Sequence, residues 1–120
     1  MIRQPAVAGL FYPSDPMQLA RQLNSLLDPI TADAKIPKAI IAPHAGYAYS
    51  GPIAASVYAR LRPARTLIKH VVLIGPSHRV SFSGLAISEA EAFLTPLGPI
   101  AVDQATIKRL RQFPFVGHLE

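Results

Sequence analysis

With 120 residues, half of them hydrophobic and 16% charged, the chain has the material for one core and is not a disordered tail. It has no cysteine, which excludes a disulfide framework, a thiolate nucleophile and a sulfur-rich zinc site within these residues, so any metal must be held by nitrogen and oxygen. The net charge of +5 raises nucleic acid as a partner. However, Arg60, Arg62, Arg65 and Lys69, and Lys108, Arg109 and Arg111, fall at or beyond the ends of predicted helices with no alternating aromatic residues, so they read as solvated faces and nucleic-acid binding is not expected.

The opening stretch through Pro13 has no helical period and reads as an extended, partly buried arm. Asp15, Pro16 and Gln18 then form a helix start: a cap, a proline at the first position and a capping-box residue. Leu19, Leu23, Leu26 and Leu27 lie on one stripe, and Asp28-Pro29 ends the helix. A polar loop over 31–37 leads to a predicted strand at 38–42, then to a loop running His44-Ala45-Gly46-Tyr47-Ala48-Tyr49-Ser50-Gly51. Pro52 is predicted to open a second helix reaching Leu61, with Ile53, Val57 and either Ala54 or Leu61 facing the core. A second strand at 69–74 would complete a βαβ unit and lead to His78. Short apolar runs at Leu85-Ala86-Ile87-Ser88 and Ile100-Ala101-Val102 flank a connector containing Phe93 and Pro96. Asp103 caps a third helix with Ile107 and Leu110 on one face. The tail after Phe113 has no closing element. The apolar runs are far short of the roughly 20 residues needed to span a bilayer, and Pro5 and Pro13 break the N-terminus. No membrane association and a cytoplasmic location are therefore expected.

The chemistry centres on two histidines. Ala39-Ile40-Ile41-Ala42-Pro43-His44 and Val71-Val72-Leu73-Ile74-Gly75-Pro76-Ser77-His78 each read as a buried strand followed at once by breakers. In open α/β sheets ligands bind at that carboxyl edge, so His44 and His78 read as half of a metal site. Neutral imidazole suits zinc, iron or copper, but a catalytic metal usually takes three protein ligands, and a third is not evident. In an extended loop Tyr47 and Tyr49 would point to one side, as pocket walls or packed over the sheet edge. Ser50 ahead of Gly51-Pro52 would leave a helix N-terminus for an anion, and Ser77 would orient His78 by hydrogen bonding. His70 reads as a surface or capping residue, His118 as part of an untethered terminus, and Glu89 and Glu91 as solvated. No nucleophile elbow, P-loop or dinucleotide fingerprint is present.

Three blocks resemble the Memo family, related to the mediator of cell motility and known in prokaryotes as AmmeMemoRadiSam system protein B: Pro5-Ala6-Val7-Ala8-Gly9-Leu10-Phe11-Tyr12-Pro13, Ala42-Pro43-His44-Ala45-Gly46-Tyr47-Ala48-Tyr49-Ser50-Gly51, and Gly75-Pro76-Ser77-His78. The resemblance implies an α/β fold similar to class III extradiol dioxygenases. Here that would be a partial three-layer sandwich with a mostly parallel or mixed sheet and flanking helices. It also implies His44 and His78 as metal ligands and an aromatic at Phe11 lining a shallow pocket. Family members are roughly twice as long, and their later half carries further site residues including a cysteine. Residues 1–120 thus read as the N-terminal part of a single domain with an incomplete metal site, in which self-association is plausible.

Two functions follow as expectations. The first is a Memo-like metal-binding protein. His44 and His78 would hold iron, copper or zinc beside a pocket of Phe11, Tyr12, Tyr47, Ser77 and Arg79 that takes a small molecule, the reaction being unassigned but redox or oxygen-dependent by analogy. The alternative is a non-enzymatic module for a peptide or phospho-ligand, with anion contacts from Ser50, Ser77, Arg79 and the helix start at Pro52.

Overall fold

The computed structural model describes residues 1–33 and 35–118, and of His118 the backbone alone. Ala34 in the 31–37 loop and the tail residues Leu119 and Glu120 lie outside the described residues. The chain divides into two compact units, Pro5–Lys69 and Met1–Gln4 with His70–Glu120. The α/β class is borne out: helices accompany one mixed and one parallel sheet.

The unit Pro5–Lys69 is helical. Helix α1 spans Pro16–Leu27, and the Asp15 carboxylate accepts a hydrogen bond from the Gln18 N–H at 2.8 Å, satisfying a donor that the first helical turn leaves without a partner. Leu19 is buried at 4% exposure, and Leu23, Leu26 and Leu27 lie half-buried on the same stripe. Asp28 closes the helix through its own N–H to the Asn24 carbonyl, as Asp28-Pro29 led one to expect.

Helix α2 spans Tyr47–Tyr58 and starts earlier than expected, with Pro52 inside it. The reason is tertiary: the Tyr47 N–H donates to the Phe11 carbonyl at 2.8 Å, and the Ser50 N–H donates to the Gly46 carbonyl at 3.1 Å. The first turn is thus satisfied without a side-chain cap. A helix in which Gly51 precedes Pro52 lacks a Cβ where the proline ring crowds its predecessor, which eases the helical conformation there. Ile53, expected to face the core, is 65% exposed, and Ala55 is buried instead. Gly51 faces α1: a Cβ added to it would stand 3.3 Å from a Leu26 methyl. A 3-10 turn over Ala59–Ala64 follows and buries Ala59 and Ala64. Arg60 pairs with Asp33 at 3.2 Å and Arg62 with Asp28 at 2.9 Å. Exposed pairs of this kind contribute about 0.2–1 kcal/mol each, which agrees with a solvated basic face.

The other unit holds the strands. Strands β1 (Ile2–Arg3), β3 (Ala92–Thr95) and β4 (Gly98–Ala101) form a sheet in the order β1-β3-β4, with β1 parallel and β4 antiparallel to β3. β1 is fixed at its start by the Met1 amino group, 3.0 Å from the Glu91 carboxylate, and by the Arg3 guanidinium over the Phe93 ring. The stretch read as a connector is in fact β3. The expected single arm through Pro13 divides, its first residues pairing with β3. Strand β2 (Leu85–Ile87) pairs in parallel with β5 (Val116–His118), so the tail read as lacking a closing element supplies one, and the backbone of His118 is tethered opposite Ile87. Between them, helix α3 (Gln104–Leu110) is capped by Asp103, whose carboxylate accepts from the Thr106 N–H at 3.1 Å.

The two predicted strands before the histidines are not found. Residues 38–42 and 69–74 belong to no ladder, and Val71, Val72, Leu73 and Ile74 are 76–81% exposed, Ile41 94%. Their β-branched, continuously apolar pattern describes a strand covered on both faces, and such a strand exists only with hydrogen-bonded neighbours on its edges. Among the described residues nothing pairs with them, so the pattern is unrealised.

Candidate functional site

A sharp turn at 7–12 begins the site. The Val7 carbonyl accepts from the N–H groups of Leu10 and Phe11, and the Gly9 N–H donates to the Tyr12 carbonyl at 2.7 Å. Gly9 sits at φ 81°, a left-handed conformation that a side chain resists. This turn sets the Phe11 carbonyl at the N-terminus of α2 and Tyr12 against Tyr47, their ring centres 5.8 Å apart and tilted by 41°. The loop carrying His44 is held at its far side by the buried Ser50, whose hydroxyl donates to the Ala45 carbonyl at 3.0 Å.

These elements enclose a cavity of about 430 Å³. Phe11 and Tyr12 come to it from the turn, Pro43 and His44 from the loop, Leu23, Leu26 and Leu27 from α1, and Tyr47, Ala54 and Tyr58 from α2. Burial pushes the Tyr47 phenol above its ordinary value, and the neighbouring Tyr12 and Tyr58 phenols push it further in the same direction. Tyr47 therefore stays protonated at neutral pH and offers a hydrogen-bond donor. The lining, apolar with a few phenols and one imidazole, suits a small ligand with an aromatic or apolar body and a polar edge.

Four expected site residues, Phe11, Tyr12, His44 and Tyr47, thus line one cavity. The other three, Ser77, His78 and Arg79, lie in the other unit, exposed on a turn where the Ser77 hydroxyl donates to the Val80 carbonyl at 2.6 Å and accepts from the Val80 N–H at 3.3 Å. Ser77 is therefore engaged with its own turn. Tyr47 and Tyr49 are helical rather than extended, so they diverge: Tyr49 is 88% exposed while Tyr47 lines the cavity. The anion site expected at Pro52 is not formed, since the helix begins at Tyr47 and the Ser50 hydroxyl is bonded to Ala45. His70 has the surface role expected of it, 79% exposed with Nδ1 3.3 Å from the Asp103 carboxylate. Glu89 and Glu91 are largely exposed and pair with Arg111 and the N-terminal amine.

Tyr58 was missed from the sequence. Positions 47, 51, 54, 55 and 58 fall on one helical face, and starting the helix at Pro52 cut that stripe in two. As for a metal, imidazole is the right donor for iron, copper or zinc. Among the described residues, though, no three His, Cys, Asp or Glu side chains gather where an ion could sit.

Comparison with known proteins decides the relationship. The profile of the family described as "Memo-like protein" matches residues 3–118. This chain belongs to the Memo-like family. It is 38% identical over 117 residues to a MEMO1 family protein of Aquifex aeolicus, covering 97% of this chain and 42% of the relative. It is 39% identical over 111 residues to one from Methanothermobacter thermautotrophicus, and 41% identical over 102 residues to Protein MEMO1 of Danio rerio, covering 86% and 85% of this chain and 40% and 34% of those relatives. The chain thus spans well under half the length of these curated Memo-like relatives. No helix among its described residues is long and apolar enough to cross a membrane.

Proposed function

We propose that this Memo-like chain contributes a ligand pocket and the imidazoles of a metal-type centre: His44 and His78 bind a divalent iron, copper or zinc ion, and the pocket of Phe11, Tyr12 and Tyr47 takes a small molecule. The observation that carries the reading is the convergence of a turn, a loop and two helices that puts His44 on the wall of a phenol-lined cavity. Further ligands must come from outside the described residues, because these provide no three-donor cluster. When bound, the ion would supply Lewis-acid or redox chemistry. The chain's own part is to present imidazole nitrogen, to exclude water from the apolar side of the pocket and to hold the Tyr47 phenol protonated as a donor.

The test is metal titration of tag-free protein, with iron(II), copper(II) and zinc(II) separately, for the unaltered chain, His44→Ala and His78→Ala. Each substitution is expected to weaken binding at least tenfold. Equal affinity in all three proteins would overturn the proposal.

A further inference from the structure

In the 3-10 turn Ala59–Ala64, side chains three positions apart stand in one column, because such a turn repeats every three residues. Ala59, Arg62 and the closing Arg65 occupy that column, and the Arg65 N–H donates to the Arg62 carbonyl at 3.2 Å. Ala59 is fully buried, and its small side chain leaves space beside the two arginines. The segment that leaves α1 is linked to the same turn by two ion pairs, Asp28 with Arg62 at 2.9 Å and Asp33 with Arg60 at 3.2 Å. Turn and segment together form an open cavity of about 480 Å³, within the range of small-ligand sites. Ile30, Ala32 and Pro63 supply its apolar lining, and Arg62, Arg65 and Thr66 its polar lining. It shares no lining residue with the phenol-lined cavity.

We propose that this second cavity binds a small aliphatic monocarboxylate. Charge selects the class. Asp28 balances Arg62 and Asp33 balances Arg60, whereas Arg65 has no carboxylate partner among the described residues, so one positive charge is left at the cavity. A single carboxylate neutralises it. A phosphate dianion would bring a second negative charge towards the Asp28 carboxylate beside Arg62, and like-charge repulsion disfavours it. Geometry agrees with charge. Asp28 engages one nitrogen of Arg62 and holds the planar guanidinium in place, leaving its other N–H donors for a ligand oxygen. Arg65 adds a second fork and Thr66 a hydroxyl, enough donors for the two oxygens of a carboxylate. The hydrocarbon part of the ligand lies against Ile30, Ala32 and Pro63, where its removal from water is favourable.

The test titrates the chain with hexanoate at neutral pH and constant ionic strength, following the amide NMR signals of Ala32, Arg62, Arg65 and Thr66, with chelator present so that the outcome is independent of the proposed metal centre. The expected result is a saturable shift of these signals. Each methylene withdrawn from water strengthens binding about fourfold, and although an open cavity covers the chain only in part, hexanoate should bind at least tenfold more tightly than acetate. Hexanamide, which keeps the hydrocarbon and lacks the charge, should bind at least tenfold more weakly than hexanoate. Arg65→Gln, at an exposed position, should leave the circular dichroism unchanged and weaken hexanoate binding at least tenfold, with Arg65→Lys between the two because it keeps the charge and loses the fork. Arg21→Gln, exposed on α1 and outside the lining, should leave binding unchanged. Shifts at these amides that do not saturate, equal binding of acetate or hexanamide, tighter binding of inorganic phosphate, or unchanged affinity of Arg65→Gln would each overturn the proposal.

Discussion

Gly84→Ala tests the pairing of β2 with β5. Gly84 has φ +85°, and a methyl placed on it would overlap the carbonyl oxygen of Phe115. That same oxygen accepts from the Leu85 N–H at 2.9 Å, at the start of the β2–β5 ladder. The left-handed conformation costs an L-residue about 1–2 kcal/mol. Displacing Phe115 loses a hydrogen bond with a net value of about 1 kcal/mol, and the stiffer unfolded chain returns about 0.4–1 kcal/mol. The expected net loss is about 2 kcal/mol. Gly98, at φ +120° with open space beside it, has backbone strain without a steric neighbour, so Gly98→Ala should cost about 1–3 kcal/mol and leave exchange in β2 unchanged. Gly75 has neither a positive φ nor a neighbour, and Gly75→Ala should be neutral or slightly stabilising. Urea unfolding of the three variants gives the order, and amide exchange at Leu85, Ala86 and Ile87 locates the loss. If Gly84→Ala left exchange at Leu85, Ala86 and Ile87 unchanged, the close approach of Gly84 to Phe115 would be wrong.

Tyr47→Phe should alter the alkaline limb of stability. The folded phenol titrates above its unfolded value near 10, so the unfolded state loses the proton first and stability falls as pH rises beyond that value. The variant should flatten this fall in urea midpoints; an unchanged slope would refute the assignment. The Asp103 carboxyl is held below its ordinary value, first by the Thr106 hydroxyl, then by the Thr106 N–H, with the nearby His70 adding to them. Its contribution is therefore present above the unfolded carboxyl value and lost as pH falls through the lowered folded one. Asp103→Asn should abolish that acid-side loss while retaining more α3 helicity at neutral pH than Asp103→Ala does, as read by circular dichroism against pH. Gly51→Val should destabilise by about 1–3 kcal/mol in urea unfolding by forcing α2 away from Leu26, where a single Cβ already stands at 3.3 Å. Gly51→Ala should cost much less, and equal effects would argue against the close packing of α1 on α2.

What the sequence disclosed follows the range of the forces involved. Asp15-Pro16 with Gln18, and Asp103 with Thr106, are signals whose partners lie within one helical turn, and α1 and α3 appear where those signals place them. The start of α2 depends on the Phe11 carbonyl, far away along the chain, and the proline that imitates a first helical position lies inside the helix. A helix opened at Pro52 places Tyr47 and Tyr49 together on an extended loop and separates Tyr58 from the face that Tyr47 shares with it. The 116–118 strand was missed for a similar reason, because its parallel partner lies beyond β3, β4 and α3.

The histidines show the same principle at the functional level. An imidazole at the end of a strand is as well positioned as the strand itself, and a strand owes its position to neighbours that pattern alone cannot guarantee. His44 has a second source of order, because Ser50 ties its loop to α2 and Phe11 and Tyr47 close the turn against the same helix end. His78 follows Val71–Ile74 through Gly75-Pro76, and that run has no ladder among the described residues. The amides of Tyr47 and Ser50, bonded to the carbonyls of Phe11 and Gly46, should therefore exchange more slowly than those of 71–74. Equal exchange in the two segments would remove this difference in order between the surroundings of His44 and those of His78.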